Sequence, residues 1–419
     1  MVFLALKNFC LKKQFQQLSI YGVGQVFNLV TPLIVVPYLV LVCGVENYGK
    51  ISIGMAVSFF LMVFIDYGTD ISAVKEISVQ RNNPSQLKSI IATTLGAKAI
   101  LFLVTTALFS GFIATVPFFH QEYLLFYLGI PILLGQLVNP TGILQGLEHF
   151  TSITVMTIVS KLLYVLLIFT CIQSTADYIY VNLFWGIANT VAYSILLVYS
   201  LKKHQIVRSD FQMSAIKHLL HSNFSLFSSQ LFVSLQMYAP VVFLGYFGSN
   251  FWAGQYRIVE QILVIFKTYL LLFFNFVYPR ICYLVETNRP EAFRYWRTFN
   301  GLNFVFIAGA MVVLFTCASW VVGFFTPTHR DTIAELLQIG IGIPLLMAVS
   351  VPLKQLVLGF GRQREYTRIT LFVVLLTLII LAIVIPFYQV KGVLYVLLLA
   401  ELLTAILFYL FLKERLKRI

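Results

Sequence analysis

The chain has 419 residues, of which 59% are hydrophobic, 16% aromatic and only 11% charged. An ordinary soluble domain is roughly 25% charged, so there is too little charge to solvate a globule of this size, and far too much Phe, Leu, Ile and Val for a disordered chain. A mean hydropathy of +0.89 leaves an integral membrane protein with many spans.

A membrane-spanning helix needs about 20 mostly apolar residues. Such stretches recur along the chain at 18–43, 50–72, 89–115, 123–145, 151–172, 178–200, 223–247, 254–278, 298–322, 333–359, 369–388 and 392–412. They predict an all-α integral membrane protein with twelve transmembrane helices. The first stretch follows Lys12 and Lys13, but it is too long for the apolar region of a signal peptide and lacks an A-x-A site, so it reads as a retained helix. The fourth merges into its loop with few charges, which leaves its boundary soft.

The basic residues set the expected orientation. With both termini on one side, twenty-one of the 29 Lys and Arg fall on that side, at the chain ends and in the loops around 75–88, 202–217, 280–297 and 362–368. Only Lys50, Arg257, Arg330 and Lys391 fall on the other. This is the positive-inside bias, and it puts both termini in the cytoplasm. Trp252, Trp320, Tyr123 and Tyr178 lie near the outer span ends, as an aromatic belt does. The net charge of +13 is thus spread over short loops and not gathered on one face, which argues against nucleic acid as a partner. The longest polar stretch, Leu201 to Ser222, falls short of the ~50 residues a domain needs. That excludes a nucleotide-binding domain, a glycosyltransferase domain or a large extracytoplasmic catalytic loop.

The two halves repeat. Gly49 to Lys75 matches Gly254 to Arg280 at an offset of 205, with Gln25 on Gln230, Tyr38 on Phe243 and Asp70 on Asn275. Asn82-Asn83-Pro84 meets Asn288-Arg289-Pro290 and Lys88 meets Arg294 at 206. Gly129-Ile130-Pro131 meets Gly342-Ile343-Pro344 and Gly146 meets Gly359 at 213. Six spans per half keep both halves in the same orientation, with the repeat axis along the membrane normal. Two pseudo-symmetric six-helix lobes follow, residues 1–205 and 206–419, joined by the basic 201–222 segment. Two such lobes around a midplane cavity are a transporter plan.

Ionisable groups inside spans cost at least ~2.5–3.5 kcal/mol each at the helix centre, so they face a cavity or a partner. Lys267 lies near the middle of span eight, with Glu260 two turns and Arg257 three further residues before it on one stripe. The stripe reads either as a structural ion pair or as a substrate or coupling site, because a second base exceeds what Glu260 neutralises. Lys161 shares a face with Thr154, Thr157 and Tyr164, and Lys98 with Thr94 and Thr105; each either lines a water-filled cavity or bonds a facing carbonyl. Lys354 lies close enough to the cytoplasmic end of span ten to snorkel. Asp66 and Asp70, one turn apart at the inner end of span two, read as a solvated or Lys75-paired helix end, or as a gate or proton site. Glu401 in span twelve has no evident partner. Four lysines make the interior net basic, which favours an anionic substrate over organic cations.

Other signals fail on their chemistry. Gly44 to Lys50 fits G-x4-G-K, but Ile51 stands where Ser or Thr must hold magnesium, and no strand precedes it. Six histidines lie in or near loops without metal-ligand spacing, and five cysteines (Cys10, Cys43, Cys171, Cys282 and Cys317) form no CxxC pair. No metal or cofactor is expected. Gly142-x3-Gly146 reads as a weak sign of close helix packing.

Val45-Glu-Asn-Tyr-Gly-Lys50, Phe64-Ile-Asp-Tyr-Gly68, Ala73-Val-Lys-Glu-Ile77 and Ile143-Leu-Gln-Gly-Leu-Glu148 resemble the corresponding segments of the Wzx-type O-antigen flippases, within the multidrug/oligosaccharidyl-lipid/polysaccharide (MOP) superfamily. The likeness covers length, span count and short loops. It implies a MOP-type fold and a non-enzymatic activity: movement of undecaprenyl-pyrophosphate-linked oligosaccharide from the inner to the outer leaflet of the bacterial inner membrane, by alternating access coupled to H+ or Na+. It also implies a polymerase and a chain-length regulator as pathway partners. Under that resemblance Lys267, Lys161, Lys98, Arg257 and Lys354 are candidates for the pyrophosphate, and Glu260, Asp66 and Asp70 for the coupling ion or a gate. The alternatives are a multidrug exporter of the same superfamily, disfavoured by the basic interior, and a membrane enzyme such as an O-antigen polymerase, which is expected to carry a large outer loop. A lipid II flippase usually carries spans beyond twelve.

Overall fold

The structure, a computed structural model, describes residues 2–207 and 210–416, with the side chains of residues 2–19, 21 and 414–416 outside that description. Lys7, Cys10, Lys12, Lys13, Arg208, Arg415, Lys417 and Arg418 therefore lie outside the described side chains. Every regular element described is helical: α1 (Val2–Asp66), α2 (Thr69–Gln80), α3 (Pro84–Thr115), α4 (Pro117–His120), α5 (Tyr123–Tyr127), α6 (Ile130–Val138), α7 (Thr141–Gly146), α8 (Phe150–Cys171), a 3-10 turn (Thr175–Tyr180), α9 (Val181–Lys203), α10 (Met213–Phe247), α11 (Asn250–Thr287), α12 (Arg289–Thr316), α13 (Ala318–Phe325), α14 (Arg330–Gly340), α15 (Gly342–Gly359) and α16 (Gln363–Leu416).

Ten of the described helical stretches are long and apolar enough to cross a membrane. Two are too long for one crossing. Gly22–Asp66 has 45 residues, about 68 Å at the helical rise against ~30 Å of hydrocarbon. It breaks at Gly44, whose φ of 83° and ψ of 164° are not helical. The chain turns back there. Gly24 packs on Thr154 at the start of α8, while Gly54 packs on Asn182 and Leu125 at the other end of the bundle. Asp70 then returns to Gly142 on α7, whose Leu144 clusters with Ile153 of α8. Gln363–Lys413, with 51 residues, breaks at Gln389 (φ 54°, ψ −136°). Tyr366 stacks on Phe408 across that break, so its two arms run antiparallel. Each long stretch holds two crossings, and the total is consistent with the twelve expected. Span two ends earlier than the sequence suggests: α1 stops at Asp66, and Tyr67 and Gly68 turn the chain into α2. The soft fourth span is three short helices, with Pro131 at a helix start and Pro140 at the break before α7.

The lipid-facing surface is apolar and follows helical spacing. On α16, Phe372, Leu375, Ile379 and Ile383 are all exposed. In water such a stripe would drive aggregation; in a bilayer it is the solvated face.

The chain forms two compact units, residues 1–35 with 53–238, and residues 36–52 with 239–419. In the first, α2 lies on α7 through Gly142, where a Cβ would overlap the Asp70 backbone, and Gly146, where one would press on Ile77. The Gly-x3-Gly spacing is thus a packing face, beside a core of Ala73, Ile77, Leu87, Ile91 and Ile143. In the second, Gly359 contacts Ile281 and Val285 beside a core of Val277, Leu284, Val357 and Phe408. Gly146 on Ile77 and Gly359 on Ile281 are the same contact made once in each unit, at positions the sequence repeat pairs to within a residue.

Overpacking a filled crossing costs about 1–3 kcal/mol. Gly146→Leu is expected to lower the melting temperature of the detergent-purified protein, whereas Gly309→Ala, which has open space around it, leaves it within error. Thermal unfolding of the two variants checks this.

Candidate functional site

The end of α1 is shaped by its own sequence. Tyr67 and Gly68 both adopt positive φ (48° and 73°). The Asp66 carboxylate accepts from the backbone N–H of Gly68 at 3.2 Å and of Asp70 at 3.2 Å, and so caps the new helix. Gly68 is needed twice over, for its φ and because a Cβ would meet Leu226. This turn delivers Asp70 to the first turn of α2, where the helix dipole favours an anion.

Asp70 accepts from the Lys98 ammonium at 2.6 Å and from the Gln136 amide at 3.4 Å. Lys98 is 1% exposed and also donates to the Asn139 carbonyl at 3.4 Å. Of the two expectations for Lys98, a wet cavity or a facing carbonyl, the carbonyl is present, and a carboxylate that the sequence did not point to holds the ammonium more closely. The expected partner for Asp70 is corrected as well. Lys75 lies exposed on α2, while Lys98 reaches Asp70 from α3.

Beside this cluster, within the first unit, lies a cavity of about 580 Å³. Asp66, Asp70 and Gln136 form its polar end, with Ser229, Gln230 and Ser234 from α10, and Phe59, Met62, Met237 and Tyr238 form apolar wall. Phe59 also meets Trp185 edge-on at 5.9 Å and Tyr238 at 5.9 Å. Behind Phe59, the Lys161 ammonium sits 3.7 Å from the centroid of the Trp185 ring, and Trp185 in turn meets Tyr164 at 4.9 Å. Lys161 is 7% exposed, and no carboxylate pairs with it among the described residues. A cation–π contact is worth up to ~2 kcal/mol, whereas burying an ion costs several. Lys161 is thus a cation held two aromatic rings, Trp185 and Phe59, from a cavity and, among the described residues, short of counter-charge.

In the second unit the Arg257 guanidinium donates to Glu260 at 2.6 Å, and Glu260 is buried. Lys267, two turns on, and Lys354 are half-buried and have no ion pair among the described residues. Glu401 does have a partner, the Ser350 hydroxyl, which donates to it at 2.7 Å. Of the candidate bases, Lys98 and Arg257 are neutralised one-for-one, while Lys161, Lys267 and Lys354 are not. The structure brings Asp66, Asp70 and Lys98 together. Gln136, Trp185 and Tyr238 escaped the sequence reading: single polar or aromatic residues in apolar runs, they carry no spacing signal. No group of His, Cys, Asp and Glu fit to hold a metal occurs among the described residues.

The model of the family described as "Polysaccharide biosynthesis protein" matches residues 15–285. The chain belongs to this polysaccharide biosynthesis family. It is 23% identical over 395 residues to a protein of Escherichia coli strain K12 named "Putative O-antigen transporter", covering 94% of this chain and 95% of that protein. A Shigella dysenteriae protein of the same name is 21% identical over 347 residues, covering 82% and 85%. The lipid II flippase MurJ in an inward closed conformation superposes with a TM-score of 0.75 at 13% identity, over 94% of this chain and 87% of MurJ. An inward-facing multidrug resistance MATE family transporter of the MOP superfamily superposes with a TM-score of 0.73 at 14% identity, over 96% and 98%. The fold of this polysaccharide biosynthesis family member is therefore the all-α MOP fold.

Removing one partner of a buried ion pair leaves a bare charge and costs about 3–5 kcal/mol. Asp70→Asn is expected to destabilise the protein by that order and Lys98→Met by less, with the double variant recovering part of the loss. A double-mutant cycle of unfolding in detergent measures the coupling.

Proposed function

We propose that this protein is a flippase that carries undecaprenyl-pyrophosphate-linked oligosaccharide, the O-antigen repeat unit, from the cytoplasmic to the periplasmic leaflet of the bacterial inner membrane. The observation that carries the reading is Lys161, a buried ammonium with no carboxylate partner among the described residues, set behind the aromatic wall of a cavity. A pyrophosphate supplies the missing counter-charge, since an ammonium bonded to a phosphate oxygen in a site of low dielectric is a strong contact. Lys267 and Lys354 add cationic charge of the same kind. The phenyl and phenol faces of Phe59 and Tyr238 suit the C–H faces of sugars or an isoprenoid chain.

The relatives named for O-antigen transport cover nearly the full chain and support this substrate class over drugs. In this reading the two six-span lobes, 1–205 and 206–419, rock in alternating access with both termini cytoplasmic. Asp66 and Asp70, with Lys98, form the group that couples transport to H+ or Na+, because both carboxylates line the cavity and Lys98 pairs with Asp70. A polymerase and a chain-length regulator act on the delivered unit. The protein supplies passage and no bond-making chemistry.

Deletion of the gene in its host is expected to abolish surface polysaccharide while lipid-linked repeat units accumulate on the inner leaflet. Complementation with Lys161→Gln or Lys267→Ala is expected to restore at most about a tenth of wild-type export, since a lost charged hydrogen bond is worth ~1.5–3 kcal/mol, with membrane levels unchanged. Polysaccharide that persists after deletion, without a substitute transporter, rejects the substrate assignment; full export by Lys161→Gln rejects the site.

A further inference from the structure

One pair of turns is built with different chemistry in the two units. In the second unit the α11–α12 turn is flanked by Arg280, Arg289, Arg294 and Arg297, and the α15–α16 turn by Arg362, Arg364 and Arg368. Residues 280–297 and 360–368 contain no lysine. All seven arginines are exposed. The two turns lie together, because Phe293 meets Phe360 at 6.2 Å against one shared core. Glu286, Glu291 and Glu365 are the acids of these segments, and no ion pair joins them to the arginines among the described residues.

The first unit shows what the fold itself requires here. At the repeat offsets of 205, 206 and 213, Lys75 and Lys88 stand at two of the seven places, and Asn83, Ile91, His149, Thr151 and Val155 at the others. The positive-inside bias is met by lysine as well as by arginine, so it accounts neither for the extra bases nor for the choice of arginine. The floor under them differs too. In the second unit it is aromatic, with Trp296 donating to the Pro352 carbonyl at 3.0 Å and Tyr366 stacked on Phe408, whereas Ile90, Leu147 and Ile206 flank the corresponding core of the first.

Placement along the helices shows what the arginines face. Arg280 is one turn from Phe276, Arg297 two turns from Phe304 and Arg368 one turn from Phe372, and all three phenylalanines are exposed. These arginines therefore end apolar, lipid-facing stripes, at the depth of the head groups. Arg289 opens α12 and Arg364 lies in the first turn of α16. A helix dipole disfavours a cation at that end and favours an anion, and the first unit keeps both places neutral. A guanidinium is a planar fork that matches two oxygens of a phosphate, which an ammonium does not.

We propose that the α11–α12 and α15–α16 turns form a binding site for the phosphates of anionic phospholipid head groups, held by Arg289, Arg297, Arg364 and Arg368. The site lies wholly within the second unit and apart from the cavity, and it stands whatever cargo the protein carries.

The full-length protein in detergent is titrated with phosphatidylglycerol and, separately, with zwitterionic phosphatidylcholine, and bound lipid is counted by native mass spectrometry. The four arginines are replaced together by Lys, which keeps the charge and the membrane topology, or together by Gln. Phosphatidylglycerol binding is expected to weaken more than tenfold in the Gln combination, since one base beside an anionic leaflet is worth about fivefold. It is expected to weaken about threefold in the Lys combination, which loses only the forks. Lys75→Gln with Lys88→Gln, at the matching end of the first unit, is expected to bind as the parent does. Unchanged affinity in the Lys combination, or an equal loss in the Lys75 and Lys88 pair, overturns the site, and the Lys combination decides the matter if the Gln combination fails to accumulate. A parent that takes phosphatidylcholine as tightly, or that loses phosphatidylglycerol to an equal concentration of inorganic phosphate, overturns the head-group assignment.

Discussion

A charge inside a bilayer has to be neutralised by the protein or by something the protein carries. Backbone groups meet the same demand by forming helices, so the chain is helical wherever it is apolar. Side chains meet it pairwise. Lys98 is held by Asp70 and the Asn139 carbonyl, Arg257 by Glu260, and Glu401 by Ser350. Lys161 stands out because its neighbour is an indole, which attracts a cation without neutralising it. The cavity beyond Phe59 gives that residue its interest.

The segments that mark the chain as resembling flippases turn out to shape the backbone. Asp66-Tyr67-Gly68 is the capped left-handed turn that ends one span and starts α2. In Gln145-Gly146-Leu147-Glu148, Gly146 lets α7 lie on α2, and Glu148, at φ 60°, reaches Arg81 at 2.9 Å. That pair is solvent-exposed and adds little stability. Such segments identify a family through its fold. They say nothing directly about cargo, and the substrate assignment accordingly rests on other residues, Lys161 first among them.

Much of the architecture was legible because a bilayer turns length and hydropathy into geometry. The twelve apolar stretches and the repeat register needed only the sequence. The pairings were harder. Asp70 looked like a partner for Lys75 because both are near in sequence, yet a helix sends residues five apart to different faces, and the true partner comes from α3. Glu401 looked alone because its partner, Ser350, is fifty-one residues earlier on another helix. Trp185 and Gln136 were invisible for a related reason: one aromatic or one amide in an apolar run has no period, and its role appears only when another helix is laid against it.

The repeat also provides an internal control on the charged cluster. At the offsets that align the halves, Asp70 corresponds to Asn275, Lys98 to Phe304 and Gln136 to Val349. The second half builds the corresponding helices without the ion pair, and Phe304 and Val349 are exposed on its surface. The fold therefore stands without a lysine and an aspartate at these places. A buried ion pair is in general no more stabilising than the apolar residues that could replace it. Its presence in one half alone, with Asp70 on the wall of the cavity, points to a use that the packing of the helices does not require.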